Sequence, residues 1–350
     1  MISTLRNSLQ AQPQDARTRI MRIYAGLLAF HIFAWLWAII VFHGNTVLWG
    51  AAFLAYSFGL RHAVDADHIA AIDNVTRTMM QDGEQPVTVG LMFSLGHSTV
   101  VVAGSMTIAL VASTLHHHFE AVRELGGIFG TFVSTLFLFG IGIANAAVLY
   151  STWQSFRRMR RADPGLKDDS DILSTGSGLL NRLLRPVFRM IRRSWHMYPL
   201  GILFGLGFDT ASEIGLLGIA ATEASKNMPL WSVLVFPMLF AASMSLIDTT
   251  DNILMLGAYS WAFVKPTRKL YYNITVTLVS VLVAFMVGAI ESMGLLATRL
   301  NLTGTFWYLM TKLNDNYSLL GYCIIALFVA CWAGSILIYK WRGFEQPGLE

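Results

Sequence analysis

The sequence predicts an all-α integral membrane protein with eight transmembrane helices arranged as two four-helix halves. Of its 350 residues, 55% are hydrophobic and only 13% are charged, and the mean hydropathy is +0.54; this is too apolar for a typical soluble domain. Several stretches exceed the roughly 18 to 20 apolar residues that cross a bilayer as a helix. Strand-like alternation is absent, and lipid offers the backbone no hydrogen-bond partner, so helices are the expected spanning elements.

Eight apolar stretches are long enough to be spans. They cover residues 22–42, 46–80, 86–114, 122–150, 197–221, 229–262, 270–298 and 318–340. The second and sixth are longer than one simple crossing needs, and both contain charged side chains. The polar N-terminal tail shows no small-residue cleavage site, so we expect it to be retained. Cys323 and Cys331 fall in the last span and are interpreted as packing residues, not as a disulfide or a metal site.

The distribution of lysine and arginine predicts which side of the membrane each loop faces. An even number of crossings places both termini on one side, together with the loop 151–196 and the turn 265–269. These segments, with Arg77 near the end of the second span, hold most of the basic residues. The opposite side carries only Arg123, Lys226, Arg299 and Lys312. By the positive-inside rule, both termini and the long loop are expected in the cytoplasm.

The loop 151–196 also divides the chain into two parts. Residues 1–150 comprise the N-terminal tail and the first four helices, and residues 197–350 comprise the last four helices and the C-terminal tail. We interpret the loop as a solvated linker, with a basic amphipathic helix on anionic lipid as the alternative for its second part. The net charge of +4 is explained by cytoplasmic topology, so the expected partner is the lipid bilayer and not nucleic acid.

Ionisable side chains lie inside four of the predicted spans, where each costs at least about 2.5 kcal/mol near the bilayer centre. They are Arg61, His62, Asp65, Asp67, His68 and Asp73 in span 2, His97 in span 3, Asp209 and Glu213 in span 5, and Asp248 and Asp251 in span 6. An Arg61–Asp65 ion pair would neutralise one carboxylate. The other carboxylates would repel one another unless protons or a cation joined them, and a divalent cation is the simplest partner.

The ligand types narrow the choice of cation. Imidazole with carboxylate suits nickel, cobalt, zinc or iron, whereas magnesium and calcium prefer oxygen and copper(I) prefers sulfur. On a regular helix, His62, Asp65 and His68 share one arc, but Asp67 falls on the far side. A site that used Asp67 with both histidines would need an unwound helix. Gly59 would favour such a break, and unwound backbone is common in transporter sites.

Four motifs together resemble the signature segments of the nickel/cobalt transporter family, which are secondary transporters of eight helices with high affinity for Ni²⁺ or Co²⁺. They are RHAVDADHI in span 2, LGHSTVV in span 3, LGFDTASEI in span 5 and SLIDTTDN in span 6. They occur in order across nearly the whole chain. The resemblance implies a transporter and not an enzyme, with the metal as substrate and no separate cofactor, and a metal site among helices 2, 3, 5 and 6.

The resemblance also implies particular site residues. The family hallmark in helix 2 is a His, four residues, then Asp-His, which His62, Asp67 and His68 match. Asp65 belongs to the same motif, and His97 matches the helix 3 histidine. The acids of helices 5 and 6, implied as ligands or coupling groups, are Asp209, Glu213, Asp248 and Asp251. Three positions depart from the family pattern without removing a ligand: Ser212, Ser243 and Asn252.

His116, His117 and His118 lie on the predicted external face between spans 3 and 4. They would either concentrate metal at the entrance or form a polar loop with incidental histidines. The second interpretation is the simpler one.

Import driven by the membrane potential or a proton gradient, across the cytoplasmic (inner) membrane, is the predicted function. The chain contains no GxxxxGK[ST] phosphate-binding loop, so neither ATP use nor an ATPase subunit is expected. Efflux or metal/proton antiport would use the same ligands and is an alternative. An intramembrane metal hydrolase is a more remote one, since no HExxH motif is present. The sequence leaves open the preference between Ni²⁺ and Co²⁺ and the oligomeric state.

Overall fold

A computed structural model describes residues 14–111, 128, 131–147, 149–150, 153–154, 193–207, 210, 230–263 and 266–341. Throughout these residues the secondary structure consists of helices and turns, without strands. The predicted all-α class is therefore confirmed. Most of the loop 151–196 lies outside the described residues.

Within the described residues we number ten α-helices in chain order. They are α1 (Gln14–Val41), α2 (Thr46–His62), α3 (Ala66–Gln81), α4 (Val89–Val111), α5 (Thr131–Ala147), α6 (Met197–Gly205), α7 (Val235–Phe263), α8 (Pro266–Arg299), α9 (Thr305–Asn314) and α10 (Tyr317–Trp341). Short 3₁₀ turns at Ser194–His196 and Leu230–Ser232 precede α6 and α7. The predicted span 46–80 thus consists of two helices, α2 and α3.

Three helical segments are long and apolar enough to cross a membrane by themselves: Asp15–Val41, Val89–Thr107 and Thr277–Arg299. Helices α9 and α10 together form a fourth candidate, although they meet at a bend of 76°. The protein is therefore a multi-pass membrane protein. The eight-span prediction placed no helix between residues 298 and 318, where the structure has α9.

Local sequence determines how α2 begins and how α3 ends. Gly44 adopts a φ of +80°, a conformation that glycine reaches without steric cost. Asn45 then caps α2, because its side-chain oxygen accepts hydrogen bonds from the N–H groups of Val47 at 3.1 Å and Leu48 at 3.3 Å. After α3, Gly83 has a φ of +84°, as is common where a helix terminates.

Helix α7 occupies the centre of the described bundle. It packs against α1, α2, α3, α4 and α8. Phe236 on α7 stacks against Phe42 at the end of α1, with ring centroids 5.1 Å apart, and Leu239 and Phe240 are buried in the same apolar cluster. Because α7 contacts so many helices, polar side chains along it can reach groups on several of them. Asp248 is one of these, and it is fully buried.

Helix α1 presents a row of large apolar side chains to its surroundings. Leu28, Ile32, Phe33, Leu36 and Ile40 are all more than half exposed. In water, a contiguous apolar surface of this kind would be unfavourable. In a bilayer the same surface contacts hydrocarbon, so the exposed row agrees with α1 as a membrane helix.

Arg77, which the charge distribution predicts on the cytoplasmic side, is buried inside the bundle. It is 1% exposed, and its guanidinium donates to Thr277 Oγ1 on α8 at 3.1 Å and to Asn74 Oδ1 at 3.3 Å. Asn145 on α5 also donates to Asn74 Oδ1, at 2.6 Å. A buried guanidinium requires such partners, and position in the sequence alone could not reveal them. The termini still carry the basic residues on which the orientation depends.

Helices α4 and α6 approach until their backbones are in contact. A Cβ added at Gly96 on α4 would meet the backbone carbonyl of Tyr198, and one added at Gly201 on α6 would meet that of Phe93. Small residues at an interface let membrane helices pack this closely. His97, which follows Gly96, is therefore held at a defined distance from α6.

Replacing Gly201 with valine is expected to push α4 and α6 apart, because the new side chain overlaps the Phe93 carbonyl. Overpacking of this kind costs about 1–3 kcal/mol, so the thermal unfolding midpoint of the detergent-purified protein, followed by tryptophan fluorescence, should fall by several degrees. Gly26→Val is the matched control, since no atom lies within 4 Å of a Cβ at Gly26. Equal midpoints for the two variants would contradict the close packing.

Candidate metal site

The second predicted span is interrupted at the sequence RHAVDADHI. Helix α2 ends at His62, residues 63–65 form a turn, and α3 follows. The turn keeps a backbone hydrogen bond, from the N–H of Asp65 to the carbonyl of His62 at 2.9 Å. Asp65 itself has an extended backbone at the N-cap of α3. The interruption places His62 at the end of one helix and His68 in the first turns of the next.

Gly59, which was expected to favour a break, is not part of the broken segment at residues 63–65. It lies within α2, and a Cβ added there would meet the backbone of Phe240 and the hydroxyl of Ser243 on α7. The missing side chain therefore allows α2 and α7 to pack closely, which is a requirement of packing and not of backbone flexibility.

His62, His68 and His97 form a compact buried cluster, which we call the histidine cluster. They come from α2, α3 and α4 respectively, and none is more than 3% exposed. The ring centroids are 4.8 Å apart for His62 and His68, 4.9 Å for His62 and His97, and 4.8 Å for His68 and His97. Among the described residues, this is the one group of three or more His, Cys, Asp or Glu side chains with ligand atoms all within 4.8 Å.

The nitrogen spacing in the histidine cluster fits a shared ion. His62 Nε2 and His97 Nε2 are 3.1 Å apart. Two nitrogens bound to one ion at about 2.1 Å lie about 3.0 Å apart at a right angle and about 3.4 Å apart at a tetrahedral angle. The two rings therefore need little rearrangement to bind one metal ion. Imidazole ligands suit nickel, cobalt and zinc.

Thr210 is a residue of this site that the sequence analysis did not identify. Its Oγ1 lies 3.1 Å from His97 Nε2 and 3.4 Å from His62 Nε2, and the residue is buried. A hydroxyl both donates and accepts, so Thr210 can bridge the two rings. Its signal in the sequence was its place directly after Asp209 in a charged motif.

Two carboxylates orient two of the histidines. Asp65 Oδ2 lies 2.9 Å from His62 Nδ1, and Asp248 Oδ1 lies 3.3 Å from His68 Nδ1. A carboxylate beside Nδ1 favours the tautomer that carries its proton there, which leaves the Nε2 lone pair for a metal. His68 Nε2 is buried and has no hydrogen-bond partner within the described part of the chain. Both rings are thus arranged to bind a cation through Nε2.

Arg61 does not form the direct ion pair with Asp65 that their spacing predicted. Arg61 Nε instead donates to Ser318 Oγ at 3.0 Å, and Ser318 Oγ donates to Asp65 Oδ1 at 2.6 Å. The i, i+4 geometry requires a continuous helix, and residue 65 lies beyond the end of α2. No motif or spacing singles out Ser318, which belongs to the last helix.

The remaining predicted acids are placed differently. Asp67 is half-buried in the first turn of α3 and is not part of the histidine cluster. Asp251 lies one turn after Asp248 on α7, and its Oδ2 is buried without a hydrogen-bond partner in the residues described. Asp209, Glu213 and the run 116–118 lie outside the described residues.

Comparison with known proteins identifies the family. Residues 48–338 match the NicO family, described as high-affinity nickel-transport protein. The chain is 55% identical to the high-affinity nickel transport protein of Cupriavidus necator, over 94% of each chain. It is 40% identical to the high-affinity nickel-transport protein NixA of Helicobacter pylori, over 87% of this chain and 92% of that one.

A cobalt-transporting relative is also similar. The chain is 38% identical to the cobalt transport protein NhlF of Rhodococcus rhodochrous, over 93% of this chain and 94% of that one. No solved structure matches the chain. The resemblance that the four motifs indicated is thereby confirmed, and the chain belongs to the NicO family of high-affinity nickel-transport proteins.

Proposed function

We propose that this protein is a secondary transporter that imports Ni²⁺ and/or Co²⁺ across the cytoplasmic membrane. The observation that carries the proposal is the histidine cluster, buried at the break between α2 and α3. Ionisable residues within the spans of membrane proteins commonly mark ion pathways. Relatives named as nickel and cobalt transport proteins favour transport over the hydrolase alternative.

In the proposed site, the Nε2 atoms of His62, His68 and His97 hold the ion. Asp65 and Asp248 hold two of the rings and place negative charge close to the cation, which raises the basicity of the imidazole ligands. Asp67 offers a further carboxylate next to His68 and is retained as a ligand of the bound ion. The negative charges of these carboxylates then compensate the two positive charges of the metal.

The proposed topology has eight crossings with both termini in the cytoplasm. Helices α2 and α3 form one interrupted crossing of the first half, residues 1–150, and α7 belongs to the second half, residues 197–350. Because α7 packs directly against α2, α3 and α4, the site would lie between the halves. Movement of one half against the other would then expose the ion to alternate sides of the membrane.

The acids beyond the histidine cluster are proposed to complete the coordination shell or to exchange protons during transport. Asp251, with a buried oxygen that lacks a hydrogen-bond partner in the described residues, lies one turn towards the proposed cytoplasmic end of α7. Asp209 and Glu213 are assigned the same role from the family motif. His116, His117 and His118 are proposed to form a polar external loop, with concentration of metal at the entrance as the alternative.

The energy source is proposed to be the membrane potential. An inside-negative potential of 100 mV drives a divalent cation inward by about 4.6 kcal/mol, twice the value for a single charge. That free energy corresponds to accumulation on the order of 10³-fold. No phosphate-binding loop occurs in the sequence, so transport is proposed to proceed without ATP and without an ATPase subunit.

Replacing His62 or His97 with alanine is expected to lower uptake of ⁶³Ni²⁺ and ⁵⁷Co²⁺ at nanomolar concentration to background. Each change removes one of three converging nitrogen ligands. Loss of a group that only supports a ligand lowers metal affinity by about 10–100-fold, so loss of a ligand itself is expected to have a larger effect. Uptake should be measured in intact cells with excess Mg²⁺, with the amount of protein in the membrane determined by immunoblot.

His43→Ala is the control for this experiment, because His43 is exposed in the turn between α1 and α2. It should accumulate both isotopes as the wild type does. Wild-type uptake rates in the His62 and His97 variants would show that the histidine cluster is not the transport site. The isotope ratio in the wild type gives the metal preference.

Replacing Asp248 with asparagine is expected to raise the KM for Ni²⁺ uptake by about 10–100-fold, because His68 loses the carboxylate that fixes its tautomer. The side-chain volume is nearly unchanged, so the protein should still reach the membrane. Glu84→Gln, which changes an exposed acid beyond α3, is the control. An unchanged KM in Asp248→Asn would remove Asp248 from the site.

Purified protein in liposomes is expected to take up ⁶³Ni²⁺ faster when valinomycin and a potassium gradient impose an inside-negative potential. The two charges of the ion couple its movement to the potential. No ATP is added at any stage. An initial rate that responds to an imposed pH gradient but not to the potential would contradict potential-driven import and would favour proton exchange.

A further inference from the structure

The start of the last helix lies against the break in the second span. Ser318 is the second residue of α10 and is buried, and its hydroxyl bonds to Asp65 in the turn. One helical turn later, Gly321 lies so close to the carbonyl of Val64 that an added Cβ would overlap it, and that Cβ would also lie 3.1 Å from Ile69 Cδ1. Helix α10 and the turn at residues 63–65 are therefore in direct contact.

The hydrogen-bonding capacity of Ser318 is directed by its two partners. The guanidinium of Arg61 can only donate, so Ser318 Oγ accepts from Arg61 Nε, at 3.0 Å. The serine proton is then available for Asp65 Oδ1, at 2.6 Å. This is a short hydrogen bond to a carboxylate, of the stronger charge-assisted kind.

The second oxygen of Asp65 continues the connection to the histidine cluster. Asp65 Oδ2 lies 2.9 Å from His62 Nδ1, and His62 Nε2 lies 3.1 Å from His97 Nε2. Three successive contacts thus join Ser318 on α10 to the two imidazoles whose nitrogens have the spacing of a shared ion. The hydrogen bonds of Ser318 are to Arg61 and Asp65 and not to either imidazole, so its effect on the metal is expected to pass through Asp65.

We propose that Ser318 is a positioning residue of the metal site, which holds Asp65 so that Asp65 orients His62 towards the ion. The proposal rests on the proposed function, because His62, which Ser318 would help to position, is proposed to bind Ni²⁺ or Co²⁺. Without the serine hydroxyl, Asp65 can rotate away from His62, and His62 loses the partner that sets its tautomer and ring angle. The last helix thereby contributes to the metal site without supplying a ligand.

The test is direct metal binding to the detergent-purified full chain, measured by titration with Ni²⁺ and with Co²⁺. Ser318→Ala is expected to weaken binding by about tenfold, the lower end of the effect of a supporting group, and to change the visible absorption of bound Co²⁺. Ser318→Thr keeps the hydroxyl and should restore both the affinity and the spectrum. Ser292→Ala is the control, because Ser292 on α8 bonds only locally, to the carbonyl of Ala289 at 3.0 Å.

A double-mutant cycle distinguishes positioning through Asp65 from general destabilisation. If Ser318 acts through Asp65, adding Ser318→Ala to Asp65→Ala should weaken binding no further than Asp65→Ala alone. Two independent, additive losses would overturn the proposal, and so would wild-type affinity in Ser318→Ala. Thermal unfolding without metal, recorded for each variant, should show no difference between Ser318→Ala and Ser318→Thr.

The binding measurements also separate this proposal from the proposed function. A wild-type protein that binds Ni²⁺ but does not carry it into liposomes would overturn transport, while the comparison of serine variants would still decide the role of Ser318. A wild-type protein that binds neither Ni²⁺ nor Co²⁺ would overturn both.

Discussion

A buried break between two helices must satisfy its polar groups within the protein, because a buried polar group without a hydrogen-bond partner is strongly unfavourable. The turn at residues 63–65 meets this requirement by combining a backbone hydrogen bond with the engagement of both Asp65 oxygens. Three other helices supply side chains on either side of this turn. Helix α4 brings His97 to His62, α7 brings Asp248 to His68, and α10 brings Ser318 to Asp65.

A second group of buried polar side chains holds α3 in place. Asp73 accepts hydrogen bonds from Tyr259 on α7 and from Ser280 on α8, while Arg77 bonds to α8 through Thr277. Because a buried charge without partners is strongly unfavourable, these bonds restrict how α3 can sit in the bundle. Because α3 is held in place, the position of His68, the third residue of α3, is restricted as well.

Aspartates that lie close together in the sequence therefore have different structural roles. Asp65 orients His62, and Asp73 joins α3 to α7 and α8, although both are buried aspartates of one short segment. Asp67, between them, is half-buried and lies outside the histidine cluster. The difference follows from which helix each side chain faces, and the charge pattern alone does not contain that information.

Composition and spacing were enough to predict the membrane class, from the length and apolarity of the spans, and the residue types of the candidate metal site, from imidazoles and carboxylates that lipid would not tolerate without a function. The helical angles also showed that the RHAVDADHI segment could not bring Asp67 and both histidines to one ion on an unbroken helix. These conclusions depend on hydropathy, residue type and helical spacing, which can be read along the chain without knowledge of how the helices pack.

Which of these residues meet depends on contacts between helices that are far apart in the sequence. The bond between Ser318 and Asp65 joins positions 253 residues apart, and the bonds of Thr210 to His62 and His97 likewise join distant parts of the chain. The direct Arg61–Asp65 pair was wrong because it assumed a continuous helix, and the sequence did not reveal that Arg77 is buried against a side chain of α8. Helix packing sets these distances, and it depends on the shapes of all the facing surfaces at once, so no single motif encodes it.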